Sequence, residues 1–245
     1  MEGTAFKIKL ADVPICVSTL HEMTKQMCHD YLTEEEAKFA LTVRESDIAY
    51  ERKKSADEDE RQGVPVRHFS DDYLETLAVY RKIAVGLLDY NTLLFHGSAV
   101  AVDDMCYLFT AESGTGKSTH VRLWREMFGE RAYMVNDDKP LLKITDKGVT
   151  VYGTPWDGKH RLSNNVAVPL KALCILERGE KNQIEKITPG EAWPLLLQQS
   201  YRPTEEGALK QTMGLVDMLS ESVSLYRLKC NMDSSAAKVS YEGMQ

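Results

Sequence analysis

Apolar residues recur along this chain in two different patterns. Over residues 71–90 they return at helical spacing behind two aspartates that suit a helix N-terminus, which predicts a helix. From residue 92 onward, short and strongly apolar runs bounded by turn residues predict strands. These runs cover residues 92–103, 105–111, 132–138, 140–155, 168–179 and 222–230, and the fourth is a hairpin that turns at residues 146–148.

Helical spacing also appears between the later strands. It predicts helices over residues 113–128, 190–200 and 205–221, and near the C-terminus after residue 233. Strands that alternate with helices indicate an α/β protein with a mixed sheet and flanking helices. We predict that this core occupies residues 92–245, and that residues 1–91 form a small α+β region.

The N-terminal region has a weaker pattern. A helix is predicted over residues 21–32 and a strand over residues 46–53. Residues 51–63 are dense in charge and lack apolar periodicity, which is typical of a solvated hairpin tip or loop.

Composition narrows the classes of partner. The net charge of -7 gives no general attraction to nucleic acid or to an anionic membrane. No run approaches the ~20 apolar residues that span a bilayer, and the first 14 residues do not have the charge and apolar pattern of a signal peptide. The five cysteines are widely spaced and contain no CxxC pair, so we expect free thiols in a cytoplasmic protein.

Residues 111–118, AESGTGKS, match the phosphate-binding pattern GxxxxGK(S/T) except at Ala111. The segment follows an apolar strand and opens a helix, so its backbone amides and the helix N-terminus would face one anion. Lys117 would reach the terminal phosphate oxygens, and the Ser118 hydroxyl would bind Mg²⁺. The predicted nucleotide-binding residues are Ser113, Gly114, Thr115, Gly116, Lys117, Ser118 and Thr119.

Two adjacent carboxylates, Asp137 and Asp138, end the strand that begins at residue 132. They follow Lys117 by about 20 residues, so this strand and the strand before the loop can end at the same edge of a sheet, where ligands bind in α/β proteins. One carboxylate would hold Mg²⁺ and the other would act as a base.

A second polar segment, residues 153–163, could bring Lys159 or Arg161 to the transferred phosphoryl group.

The segments FHGSAV, FTAESGTGKST and VNDD follow one another in this order within roughly residues 93–140. Together they resemble the HPr kinase/phosphorylase type of P-loop kinase, which shares its core with ATP-dependent phosphoenolpyruvate carboxykinase. The resemblance implies that His96 lines the phosphate site, that Asp137 binds magnesium and that Asp138 is the base, although the two aspartates could exchange roles. It also implies ATP and Mg²⁺ as cofactors and makes a homo-oligomer plausible.

The resemblance leaves the acceptor open. The EIRG signature of HPr kinases is absent and the N-terminal region differs from theirs, so HPr is a doubtful substrate; the chain is more similar to small HPr-kinase-related proteins, including kinases of lasso-peptide precursors. A serine of a peptide or protein is the first choice of acceptor, and a small hydroxylated metabolite is the second. A regulatory protein that binds ATP without transferring its phosphoryl group is the alternative from another class.

Overall fold

A computed structural model describes residues 3–112 and 114–245. The chain divides into two units, Met1–Leu87 and Leu88–Gln245, which are described separately. The assignment of domains to residues 1–91 and 92–245 stays a prediction. In the described part of the chain, no helix is both long and apolar enough to cross a membrane.

The first unit contains a three-stranded sheet. The strands β1 and β2 form an antiparallel hairpin, and β3 pairs with β2 in parallel; they span Thr4–Leu10, Val13–Thr19 and Phe39–Thr42. Ile8, Ile15 and Val17 are completely buried at alternate positions of the hairpin. The helix predicted over residues 21–32 is shorter in the structure: α1 spans Met23–Met27, and a 3₁₀ turn follows at His29–Tyr31.

Two long helices complete this unit: α2 spans Glu45–Gln62 and α3 spans Asp71–Gly86. The helix α3 confirms the prediction for residues 71–90. The strand predicted over residues 46–53 and the loop predicted over residues 51–63 are both wrong, because α2 contains all of these residues except Gly63, which caps its C-terminus.

Ion pairs explain why α2 forms without an apolar stripe. Arg81 of α3 lies 2.6 Å from Glu51 and 3.4 Å from Asp47, and Lys82 lies 2.8 Å from Asp47. Glu51 is buried, so its charge has a partner within the fold. The charged segment that was predicted to be solvated therefore contains Glu51, whose ion pair with Arg81 joins α2 to α3.

The second unit is built on a nine-stranded mixed sheet. Seven of its strands follow the order β4-β8-β9-β10-β6-β5-β7, while β12 pairs with β10 and β11. Their bounds are Thr92–Leu94 (β4), Ser98–Val102 (β5), Met105–Thr110 (β6), Ala132–Asn136 (β7), Leu141–Thr145 (β8), Gly148–Tyr152 (β9), Ala167–Arg178 (β10), Gln183–Lys186 (β11) and Ser224–Cys230 (β12). Each apolar run predicted from residue 92 onward contains strand, but the run at residues 92–103, predicted as one strand, is divided into β4 and β5, which have different neighbours in the sheet. The strand β11 was not predicted.

Helices cover both faces of this sheet. They are α4 (Lys117–Phe128), α5 (Pro189–Gln199), α6 (Glu206–Ser222) and α7 (Ser235–Gly243). Val121 and Trp124 of α4 pack with Ala236 of α7 against one face, and α5 and α6 pack against the other face through Leu196 and Leu219. The unit is therefore an α/β fold with a mixed sheet between two helical layers.

The directions of the strands bring the segments that carry the predicted site residues to one edge of the sheet. β5 pairs antiparallel with both β6 and β7, so β6 and β7 run in the same direction and end at the same edge. β10 is parallel to β6 and also ends there. The segments that follow these three strands therefore meet at one edge of the sheet.

Candidate functional site

The loop after β6 has the backbone that a phosphate loop requires. Gly114 and Gly116 have φ angles of +78° and +115°, a region that side chains disfavour. A Cβ atom at either position would meet no atom within 4 Å, so the backbone is open to a ligand. Ala111 is buried and is not among the described residues with positive φ. A glycine is therefore not needed at the position where this loop departs from the pattern.

The helix α4 begins at Lys117, directly after the loop. The Lys117 Nζ atom lies 3.4 Å from the carbonyl oxygen of Ala111. Burial lowers the pKa of Lys117, and the negative charges of Asp138 and Asp137 oppose that change. The amine therefore lies within electrostatic reach of both aspartates. Thr115 donates to the carbonyl of Glu112, and Thr119 is half-buried in the first turn of α4.

Ser118 and Asp137 form the pair that could hold a metal ion. The Ser118 hydroxyl lies 3.5 Å from Asp137 Oδ2, and the hydroxyl of Ser98 donates to Asp137 Oδ1 at 2.9 Å. Asp137 is buried, which raises its pKa, while the hydrogen bond from Ser98 opposes the rise. A bound cation would favour the ionised carboxylate further.

These oxygens suit Mg²⁺. Magnesium binds oxygen ligands at about 2.1 Å in octahedral geometry, so neighbouring ligands are about 3 Å apart, near the spacing found here. It commonly takes only one or two protein oxygens and completes its shell with water and phosphate. The described residues contain no cluster of three or more His, Cys, Asp or Glu side chains that could hold a metal by themselves. The donor set therefore fits magnesium bound together with a phosphate ligand.

His96 and Asp138 lie beside this pair. His96 Nε2 is 3.5 Å from Asp138 Oδ1, and His96 Nδ1 is 2.7 Å from Gln199 Oε1. Burial lowers the pKa of His96, the charge of Lys117 lowers it further, and Asp138 and Gln199 act in the opposite direction. The neutral imidazole is thus favoured at neutral pH. The Asp138 side chain is 29% exposed, so it remains accessible to a ligand.

Asn136, in the VNDD segment, is a site residue that was not predicted from the sequence. It is completely buried, and its Oδ1 atom accepts hydrogen bonds from the backbone amides of Asp138 and Lys139 at 2.8 and 2.7 Å. Its Nδ2 atom donates to the carbonyl of Thr154 at 3.0 Å. Asn136 therefore fixes the turn that carries the second aspartate.

Two further segments reach the same edge. Arg178, the last residue of β10, donates from Nη2 to the carbonyl of Gly114 at 2.7 Å. In the segment after β9, Gly158 packs against Asp138, and the charge of His160 acts on Asp137. The segment predicted to approach the site therefore does so, through residues 158 and 160.

The remaining predicted residues differ in their placement. Arg161 is exposed and has a φ of +50°. Its catalytic role stays a prediction. Ser113 lies outside the described residues. Lys117, Ser118, His96, Asp137 and Asp138 are brought together, with Gly114 and Gly116 in the adjoining loop.

Comparison with known proteins adds little to this geometry. No family model matches the chain, and no curated protein matches it. Among solved structures, the HPr(Ser) kinase/phosphatase from Coxiella burnetii matches with a TM-score of 0.30 and 14% identity, over 52% of this chain and 88% of that chain. This similarity is too low to support a functional argument, so the function is inferred from the residues of the site.

Proposed function

We propose that this protein is an ATP- and Mg²⁺-dependent kinase that transfers the γ-phosphoryl group to a hydroxyl. One observation carries the proposal: the glycine loop with Lys117 and Ser118 meets Asp137, Asp138 and His96 at one edge of the sheet. A loop alone would suit many nucleotide-binding proteins. The second carboxylate beside the phosphate site adds the base that transfer to a hydroxyl uses.

The nucleotide would be held by the loop and the start of α4. Backbone amides of the loop and the helix N-terminus favour a bound anion, and Lys117 adds a positive charge within reach of the terminal phosphate. The lowered pKa of Lys117 reflects its burial, and phosphate charge would favour its protonated form. Ser118 and Asp137 would hold Mg²⁺, which supplies charge neutralisation for the phosphate oxygens.

The exposures of the two aspartates support their assignment. Asp137 is 8% exposed and faces Ser118, which suits a metal ligand. The more exposed Asp138 would accept the proton of the acceptor hydroxyl. The acceptor oxygen then bonds to the γ-phosphorus, and the bond between that phosphorus and the bridging oxygen of ADP breaks. His96 would contact the transferred group next to Asp138.

The acceptor class follows from the family resemblance, which favours a serine of a peptide or protein. The proposal is tested by comparing wild type with Asp138→Asn, using calorimetry for Mg-ATP binding and radiolabelled ATP for transfer to serine-containing peptides. We expect Asp138→Asn to bind ATP and to lose about a hundredfold or more in transfer rate. Asp146→Asn, in the exposed turn between β8 and β9, is the matched control. Equal transfer by wild type and Asp138→Asn would overturn the proposed role of Asp138.

Lys117→Ala tests the phosphate loop separately. We expect weaker ATP binding, because the variant loses the positive charge nearest the terminal phosphate. ATP affinity equal to that of wild type would contradict the assignment of the loop.

A further inference from the structure

The segment after β9, residues 153–163, forms a loop that is held against the turn carrying the two aspartates. Ser163, at its end, forms a β-bridge with Asn136, the last residue of β7. Near its start, the hydroxyl of Thr154 donates to the carbonyl of Lys139 at 2.9 Å. Both ends of the loop are therefore fixed to the segment from which the exposed aspartate extends.

The tip of this loop lies beside Asp138. Gly158 has a φ of +71°, and a Cβ atom placed on it would lie 3.0 Å from the Cβ atom of Asp138. A 3₁₀ turn begins at Gly158 and ends at His160. We call residues 158–161 the basic tip, because three exposed basic residues follow the glycine: Lys159, His160 and Arg161.

We propose, on the basis of the kinase function above, that the basic tip binds acidic side chains of the acceptor, which is a peptide or protein serine with Asp or Glu beside it. The tip has three basic residues in succession and no acidic one, in a chain with a net charge of -7. Complementary charge next to a site attracts the correct partner and fixes its register. The tip would thus select acidic acceptors.

Chain geometry supports a contact close to the acceptor serine. Asp138 must reach the serine hydroxyl to accept its proton. Lys159 and Arg161 lie one and three positions after the glycine that packs against Asp138, and consecutive Cα atoms are about 3.8 Å apart. An extended peptide advances about 3.3 Å per residue. An acidic side chain next to the serine is therefore within reach of the long basic side chains of the tip.

The phosphates of ATP have other cationic partners in the proposed site. Lys117, the loop amides and Mg²⁺ would face them. Lys139 lies 3.8 Å from Asp138 Oδ2, so the negative charge of the base has a partner of its own. The basic tip adds positive charge beyond these groups, beside the carboxylate that the acceptor hydroxyl must reach.

The test measures which residues wild type prefers around the acceptor serine. The probe is a degenerate peptide library with one fixed serine, phosphorylated with radiolabelled ATP and then sequenced. We expect enrichment of Asp and Glu next to the serine. Two peptides of equal length, with either Asp or Asn on both sides of the serine, then give the preference as a ratio of kcat/KM. This ratio should be about fivefold in favour of Asp and should fall at high salt.

Charge reversal separates recognition from a general loss of activity. In the double variant Lys159→Glu and Arg161→Glu, the preference should reverse toward a peptide with Lys on both sides of the serine, which a merely damaged site would not produce. The matched control is Lys147→Glu with Lys210→Glu, at exposed positions of the turn before β9 and of α6. This control makes the same change in net charge and should keep the preference for the acidic peptide.

The double variant Lys159→Gln and Arg161→Gln should abolish the preference, and it tests the same contacts if the reversed variant does not fold. Equal kcat/KM of wild type for the Asp and Asn peptides, or an unchanged preference in the folded tip variants, would overturn the proposal and leave the kinase function standing. A loss of transfer to every peptide alike, with the preference retained, would assign the tip to the phosphoryl group instead.

Two outcomes concern the class of acceptor. Transfer to a small hydroxy acid such as glycerate but to no peptide would overturn the assignment to a peptide or protein, and so would Mg-ATP binding without transfer to any peptide. The absence of Mg-ATP binding to wild type, measured by calorimetry, would instead contradict the proposed function itself.

Discussion

The side-chain oxygen of Asn136 accepts a 2.8 Å hydrogen bond from the backbone amide of Asp138. A buried amide side chain thus determines the direction in which the chain leaves β7, and with it the position of the more exposed carboxylate of the site. The same side chain is anchored by Thr154, which follows β9. The turn carrying the aspartates is therefore held from a second segment of the sheet.

Asn136→Ala is expected to lower the free energy of unfolding by about 3 kcal/mol, because it leaves buried amide groups without partners. Transfer activity should fall more than ATP affinity, because the substitution releases Asp138 and leaves the loop intact. Urea denaturation and the two assays above measure both effects. The control is Asn182→Ala: Asn182 also accepts from a backbone amide and donates to a side chain, but in an exposed loop. A stability loss in Asn136→Ala no larger than in Asn182→Ala would contradict the role given to Asn136.

Arg178→Ala should weaken ATP binding about fivefold and change the free energy of unfolding by less than about 0.5 kcal/mol. Arg178 is exposed, and its hydrogen bond to the Gly114 carbonyl fixes the loop and brings a positive charge to the phosphate site. Calorimetry at two salt concentrations measures the effect, which should diminish at high salt. Arg122→Ala removes an exposed arginine paired with Glu126 on α4 and should leave ATP affinity unchanged. An unchanged affinity in Arg178→Ala would show that the bond to Gly114 does not support nucleotide binding.

Local sequence signals predicted most of the second unit. The turn at Asp103 and Asp104 joins β5 to β6, as expected from two apolar runs separated by turn residues, and both aspartates have positive φ angles. The approach of Ser118 to Asp137 also followed from the sequence, because strand–loop–helix order and the carboxyl ends of strands restrict where such residues meet.

The failures concern partners that lie far apart in the sequence. The sequence predicts a strand and a loop where α2 forms, because ion pairs to Arg81 and Lys82 of α3 stabilise this helix and its own residues do not reveal those partners. Gln199, the partner of His96, is 103 residues away and belongs to an ordinary helical segment. The apolar periodicity of a segment indicates which of its own residues are buried, whereas these contacts depend on how separate elements pack together.

His120 predicts how stability depends on pH. It is buried between Phe109 and Trp124, and burial lowers its pKa from 6.5 to about 4. Because the folded pKa lies below the unfolded one, the unfolded chain binds the proton more readily, and stability falls as the pH decreases from 7. Between pH 7 and pH 5 this group should cost about 2 kcal/mol of the free energy of unfolding.

The measurement is urea denaturation of wild type and His120→Gln at pH 7 and pH 5, followed by tryptophan fluorescence. His120→Gln carries no charge at either pH, so its loss of stability on acidification should be smaller than that of wild type by about 2 kcal/mol. The variant His120→Gln should be less stable than wild type at pH 7, because the substitution disturbs the hydrogen bond between His120 Nε2 and the Ser240 hydroxyl. Identical pH dependence of the two proteins would show that His120 is not the group responsible.

Gln199→Glu should raise the pKa of His96 by about one unit or more. Gln199 Oε1 lies 2.7 Å from His96 Nδ1, so a carboxylate at this position favours the imidazolium directly. In wild type, burial and the charge of Lys117 lower the pKa of the same ring. The raised pKa keeps the ring protonated to higher pH. A reaction that needs the neutral imidazole beside Asp138 therefore loses its activity on acidification at a higher pH in this variant than in wild type.

Titration of the His96 ring by NMR measures this pKa directly, and the pH–rate profile shows whether the reaction follows it. Gln198→Glu makes the same change in charge at the exposed neighbouring position and should leave the pKa of His96 close to that of wild type. His96→Gln should lack the titration and the corresponding limb of the profile. A shift in the NMR titration without a shift in the profile would show that His96 contacts Gln199 but that its protonation does not limit phosphoryl transfer. No shift in either would contradict the contact, because a buried carboxylate 2.7 Å from the ring cannot leave its pKa unchanged.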